Sequence, residues 1–166
     1  MTNLPMIGLI SDTHDNVPNV MRAAAIFRQK KVERVIHLGD IIAPATVPFF
    51  KGLQMTFIPG NNDGDHGLLQ QRIAEIGGKF LPDGSEITIA EKRCLLFHGK
   101  DRGQLRRHIA SGNYDYVLYG HDHTKHFSRE GKTFLLNPGG HYPAPGQQHS
   151  IALWDPRKDA VEFIPL

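Results

Sequence analysis

The chain has 166 residues, 40% of them hydrophobic and 22% charged, with a formal net charge of +2. That length fits one domain over residues 1–166 with a sizeable buried core, and so weak a charge demands neither nucleic acid nor an anionic membrane as partner. The single cysteine, Cys94, excludes an internal disulfide; no run of about 18 apolar residues provides a membrane span, and no basic segment followed by a long apolar run marks a signal peptide. Cys94 stands in an apolar strand pattern as a buried, inert thiol, which fits a cytoplasmic location. Ten histidines is a high count and invites a metal reading.

Residues 6–10 form an apolar run without polar alternation, as expected of a strand buried on both faces. Asp15, Asn16, Val17 and Pro18 supply capping and first-turn chemistry for a helix over roughly 18–30, with Asp15 read as a cap and not a ligand. A second strand over 34–38 closes on Gly39 and Asp40. A short helix over 45–51 follows, then a strand over 54–58 broken by Pro59 and Gly60. A helix over 67–76 ends at Gly77 and Gly78. The rhythm then changes. Residues 86–90 alternate with period two, turn at Glu91 and Lys92, and return over 93–97, which reads as an antiparallel hairpin. A helix spans 102–111, and a buried strand over 116–119 closes on Gly120 and His121. Two strand pairs follow, over 125–136 and 150–163, with turns at Gly131–Lys132 and at 156–159. Alternating strands and helices followed by hairpins predict two sheets packed face to face with helices outside.

Six patches each end an apolar run with a metal-type side chain: Asp12 with His14, Asp40, Asn61, His98, His121 and His123. Ligands collect at strand C-terminal ends because that edge of an open α/β sheet has room for a crevice. Asp12 and His14 are two apart, as are His121 and His123, so each pair can address one ion where the backbone turns. Gly39 and Gly60 let the backbone pass close to the site. The Asp40 carboxylate has two oxygens and can bridge two cations. Carboxylate, amide and imidazole donors without a thiolate argue against a structural zinc site and suit two divalent ions, Mn²⁺ first, with Ni²⁺, Fe²⁺, Co²⁺ or Zn²⁺ as alternatives. Such a pair, about 3.5–4 Å apart, can clamp a phosphate and hold a bridging hydroxide.

Asp-x-His, Gly-Asp, Gly-Asn-x-Asp, His-Gly and Gly-His-x-His, in this order from residue 7 to about residue 140, resemble the calcineurin-like metallophosphoesterase superfamily, and the small size resembles its prokaryotic single-domain phosphodiesterase branch. The resemblance implies a four-layer α/β/β/α sandwich of two mixed β-sheets flanked by helices. It implies a first ion on Asp12, His14, Asp40 and His123, and a second on Asp40, Asn61, His98 and His121. Asn137, Pro138, Gly139 and Gly140 match a downstream family turn. The implied activity is phosphodiester hydrolysis by a hydroxide bridging two metal ions, on a small phosphoester or short nucleotide. The catalytic candidates are Asp40, Asn62 and Asp63. One departure matters: many family members carry His where this chain has Asn62, and an amide cannot act as a general acid. Asp63 reads as a buttress of the loop more than a proton carrier, and His66 as a weak substitute acid.

The remaining candidates favour plainer roles. His37 lies within a strand as a core or supporting residue. His108, His126 and His149 are expected in solvent, and His141 could line the mouth. Arg102, Arg106 and Arg107 read as a solvated helix face, with Arg102 the one placed to meet a phosphate. Trp154 is expected in the core. The competing reading is a non-catalytic binding module on the same fold, resembling the retromer subunit, but all seven ligand positions keep ligating side chains. A nuclease acting on long nucleic acid is disfavoured by the absence of a basic, aromatic-rich stripe. Exposed apolar strands near the C-terminus would permit a homo-oligomer.

Overall fold

The computed structural model describes residues 6–141, 146 and 148–166. Strand β1 (Ile7–Ile10) leads into helix α1 (Val17–Gln29), then β2 (Arg34–His37), a 3-10 helix (Pro44–Phe50), β3 (Met55–Phe57), α2 (His66–Glu75) and β4 (Lys79–Phe80). The hairpin β5 (Ser85–Ile89) and β6 (Lys92–Phe97) follows, then α3 (Arg102–Ser111), β7 (Tyr116–Tyr119), β8 (His126–Glu130), β9 (Thr133–Asn137), β10 (Ser150–Asp155) and β11 (Ala160–Pro165).

One sheet runs β11-β10-β1-β2-β3-β4 and the other β5-β6-β7-β9-β8. Both are mixed. β1, β2, β3 and β4 are parallel, β10 pairs antiparallel with β1, and β11 pairs antiparallel with β10; β6, β7 and β9 are parallel between antiparallel β5 and β8. Three apolar layers follow from strand alternation. Ile7, Leu9, Ile36 and Leu38 meet Leu96, Leu118 and Trp154 between the sheets. Ile10, Val35 and Phe57 face α1, the 3-10 helix and α2 through Val20, Phe50 and Leu69. Leu95, Val117 and Leu135 face α3 through Leu105. The architecture is therefore α/β/β/α, and Trp154 is in the core.

Several details depart from expectation. The cap of α1 is Asn16, whose side chain accepts from Asn19 N–H, while Asp15 accepts from Ala43 N–H across the loop. The short helix is 3-10, with Pro48 inside it, where a missing N–H cannot sustain an α ladder. The first hairpin turns at Ala90 and Glu91, one residue earlier than expected, both with positive φ. Two-residue β4 is too short to leave a periodic signal. Of the C-terminal strands, β10 is buried throughout, and only the edge strand β11 exposes residues. Among the described residues no helix is long and apolar enough to cross a membrane.

Candidate metal centre

The C-terminal ends of β1, β2, β3, β6 and β7 meet at one edge where the two sheets adjoin. Asp12, His14 and His123 form one cluster there, and Asp40, His98 and His121 a second, the ligand atoms of each lying within 4.8 Å of one another. The clusters touch through Asp40, whose Oδ2 lies 3.5 Å from both His14 Nε2 and His98 Nε2. Asn61 Oδ1 is 3.1 Å from His98 Nε2 and joins the second group. All seven candidate ligands are thus brought together. His14 and His123 rings are 4.9 Å apart, and those of His98 and His121 5.2 Å.

The local backbone aims them. Asp12 N–H donates to Gly39 O at 2.9 Å and His14 N–H to Asp40 O at 3.1 Å, so the loops after β1 and β2 are laced together. Gly39 has φ +100°, and a Cβ there would lie 2.6 Å from His98 Nδ1. A Cβ on Gly140, in the turn after β9, would lie 2.6 Å from the His123 ring. These two glycines leave room for the imidazoles.

A supporting layer fixes tautomers and charges. His98 Nδ1–H donates to Leu38 O at 2.7 Å, which turns Nε2 into the site. Burial pulls the His98 pKa down, but Asp40, Asp12 and the Leu38 carbonyl outweigh it and raise it to about 9. Burial pushes the Asp12 carboxyl up, yet His14, Ser11 and the charge of His98 hold it below its ordinary value. Asp40 is likewise held well below the usual carboxylate range: burial opposes this, while His98 and the two Asn62 N–H groups favour the anion. His121 and His123 are lowered, mainly by burial, so they stay neutral and able to donate lone pairs.

Asn62 lies at the exposed rim, donating its backbone N–H and Nδ2 to the two Asp40 oxygens at 2.8 Å each. Asp63 joins neither cluster and accepts from the backbone N–H groups of Asp40, Ile42 and Gly60. His66 stands at the first turn of α2 beside Phe80 and joins neither cluster. His37 is buried; its Nδ1 accepts from Gly39 N–H and its Nε2 meets Thr13 Oγ1 at 3.0 Å. His141 does not line the mouth: it is buried, its N–H donates to Asp12 O, and its Nε2–H donates to Ser150 O. His108 packs edge-on to Phe97 and His149 pairs with Asn19, so neither is a simple solvated side chain, whereas His126 is exposed. Arg102 is exposed and pairs with Asp122 at 3.4 Å. Cys94 is buried, and burial pushes its thiol up to about 12.

Sequence reasoning overlooked Ser11, whose Oγ–H donates to Asp12 Oδ2 at 2.5 Å, and Asp83, which accepts from His98 N–H at 2.7 Å. Asp122 was also overlooked; its Oδ1 accepts from Asn137 Nδ2 at 2.8 Å. Only the acidic turn Pro82–Asp83–Gly84 carried a local signal.

The residues fit divalent ions on structural grounds. Asp12 Oδ1 and His121 Nδ1 are buried and make no hydrogen bond among the described residues, an arrangement that is costly unless a further partner binds. The donors are hard or borderline oxygens and imidazoles.

A family model described as the calcineurin-like phosphoesterase superfamily domain matches residues 6–159. Phosphodiesterase MJ0936 of Methanocaldococcus jannaschii is 35% identical over 136 residues, which cover 80% of this chain and 82% of that protein. A solved archaeal phosphodiesterase shares the fold with a TM-score of 0.91 and 31% identity, over 97% of this chain and 99% of its own. Vps29 of Entamoeba histolytica, solved with Zn²⁺, has a TM-score of 0.67 and 17% identity over 97% and 98% of the two chains, a likeness of fold alone.

Proposed function

The chain belongs to the calcineurin-like phosphoesterase superfamily, and on that footing we propose that it is a metal-dependent phosphodiesterase acting on small phosphoesters or short nucleotides. The observation that carries the reading is the position of Asp40 Oδ2, 3.5 Å from an imidazole of each cluster, as a carboxylate shared between two ion sites must be. Asp12, His14, Asp40 and His123 would hold one divalent ion, and Asp40, Asn61, His98 and His121 the other, with Mn²⁺ preferred over Ni²⁺, Fe²⁺, Co²⁺ or Zn²⁺. When bound, such ions supply a nucleophilic water near neutral pH and Lewis-acid stabilisation of charge on the phosphate.

The chain contributes position, polarity and access. Asp63 fixes the Asp40 and Gly60 backbones and so sets where the Asp40 carboxylate stands. The Leu38 carbonyl holds the proton on His98 Nδ1 and keeps Nε2 facing inward. Asp12, Asp40 and His98 are almost wholly buried, which strengthens every charge interaction they make. Exposed Asn61 and Asn62 mark the side from which a substrate approaches. The Asn62 amide suits a hydrogen bond to a phosphate oxygen and offers no proton to a leaving group. Good leaving groups should therefore be favoured. The lone buried thiol is compatible with the cytoplasm, where disulfides are rare.

Hydrolysis of bis(nitrophenyl) phosphate after chelation and Mn²⁺ add-back tests the reading. Turnover should return with metal, and Asp40→Asn should lower it by about 10²-fold or more, beyond the usual loss from a supporting residue. A metal-loaded chain with no turnover above background, or an Asp40→Asn variant of full activity, would overturn it.

A further inference from the structure

The flank of His123 opens into a cavity of about 260 Å³ lined by Asp122, His123, Thr124, Lys125 and Gln148. It adjoins the reacting centre, because His123 Nε2 stands 3.5 Å from Asp12 Oδ1. A volume below the roughly 300–1,000 Å³ of drug-sized pockets suits one arm of a substrate better than a whole ligand.

The charges in this cavity are unevenly compensated. The Asp122 carboxylate is fully engaged. Its Oδ1 accepts from Asn137 Nδ2 at 2.8 Å and Thr124 N–H at 3.1 Å, and its Oδ2 pairs with Arg102 at 3.4 Å. Lys125 is different. Its Nζ donates to the neutral Gln148 Oε1 at 3.2 Å and pairs with no carboxylate among the described residues. An ammonium has three donors, so two remain uncommitted among the described residues, and the Gln148 amide has N–H donors of its own. Lys125 lies two residues beyond His123 and lines the same cavity, so its charge stands on the flank of that imidazole. A point charge on a flexible stem tolerates varied phosphate geometry.

Resting on the phosphodiesterase reading, we propose that this cavity receives a phosphorylated ester arm and that Lys125 is the residue that selects it. The substrate class is then a phosphodiester carrying a second phosphate on one arm, as short nucleotides do.

Two matched esters test the proposal with Mn²⁺-loaded protein: nitrophenyl thymidylate, and the same ester phosphorylated on the remaining sugar hydroxyl. The native chain should prefer the phosphorylated ester in kcat/KM. Lys125→Ala should reduce that preference about tenfold, the size of one charge-assisted hydrogen bond, chiefly through KM. Lys125→Arg should retain the preference and Lys125→Glu should reverse it. The position is exposed, so all three variants should fold, which thermal unfolding checks. Turnover of the plain ester with no preference, or with a preference that Lys125→Ala leaves intact, overturns the cavity assignment alone. Failure to cleave either ester or bis(nitrophenyl) phosphate overturns the phosphodiesterase reading and this proposal with it.

Discussion

Five of the seven candidate ligands, Asp12, His14, Asp40, His121 and His123, have φ between +42° and +72°. Such backbone costs on the order of 1–3 kcal/mol per residue and persists where surrounding bonds over-determine it. Here those bonds are the lacing of the β1 and β2 loops and the three N–H groups collected by Asp63. Asn62 sits on this rigid floor at the rim, and its replacement of a titratable side chain has a kinetic consequence. Asn62→His should speed hydrolysis of alkyl phosphodiesters, which need a proton on departure, by up to about 10²-fold, and change nitrophenyl esters little. Comparing kcat for the two ester classes checks this; equal gains on both would mean that the new side chain acts other than as an acid. The clustering of the candidate ligands was legible in the sequence because their side-chain chemistry is itself the signal. The reach of Asp83 to His98 and of Asp63 to Asp40 and Ile42 was not, because these partners come close only in the folded chain.

At the scale of elements, the buried strands were legible from their uninterrupted apolar runs and the helices from their caps and terminal glycines. The first hairpin shows where such reading ends. Its flanks alternate clearly, but Ala90 and Glu91 form a turn with φ of +47° and +65° without Asn or Gly, the residues such a turn ordinarily requires. Nothing local therefore marked the turn, and its position is set by the register that pairs Ile89 with Lys92 and Ser85 with Leu96. The inter-sheet core enforces that register, since a slip of one residue would turn Cys94 and Leu96 away from it. The turn consequently carries a penalty that glycine would remove. Glu91→Gly should raise the free energy of unfolding by about 1 kcal/mol, the usual cost of a left-handed non-glycine residue, less what the freer unfolded chain gains. Denaturant titration measures it, and an equal loss of stability would show that the Glu91 side chain makes a contribution larger than its strain.

At the scale of the whole molecule, the site is a seam where the loops of one sheet meet those of the other, and two buried imidazoles, His37 and His141, brace the loops beneath it in their neutral form. His37 stacks on Phe57 with ring centroids 5.5 Å apart and spends both nitrogens on loop contacts, Nδ1 accepting from Gly39 N–H and Nε2–H donating to Thr13 Oγ1. Protonating Nδ1 destroys the first of these. Burial pulls the His37 pKa from 6.5 to about 4, against the opposing pull of Asp63, Asp12 and Asp40. The unfolded chain therefore binds a proton at higher pH than the folded one. The His37 contribution is complete above about 6.5 and falls as pH drops from there towards 4, by about 3 kcal/mol. His141, lowered to about 3 mainly by burial, adds loss of the same sign and extends it to lower pH. His98 has the opposite sign: raised to about 9, it contributes stability below 6.5 that is lost as pH rises through 9, so it cannot cause an acid loss. Denaturant unfolding of chelated protein across pH 4.5 to 7.5 should show the acid decline, and His37→Gln should flatten it. If the two proteins lose stability in parallel, the acid decline does not come from His37.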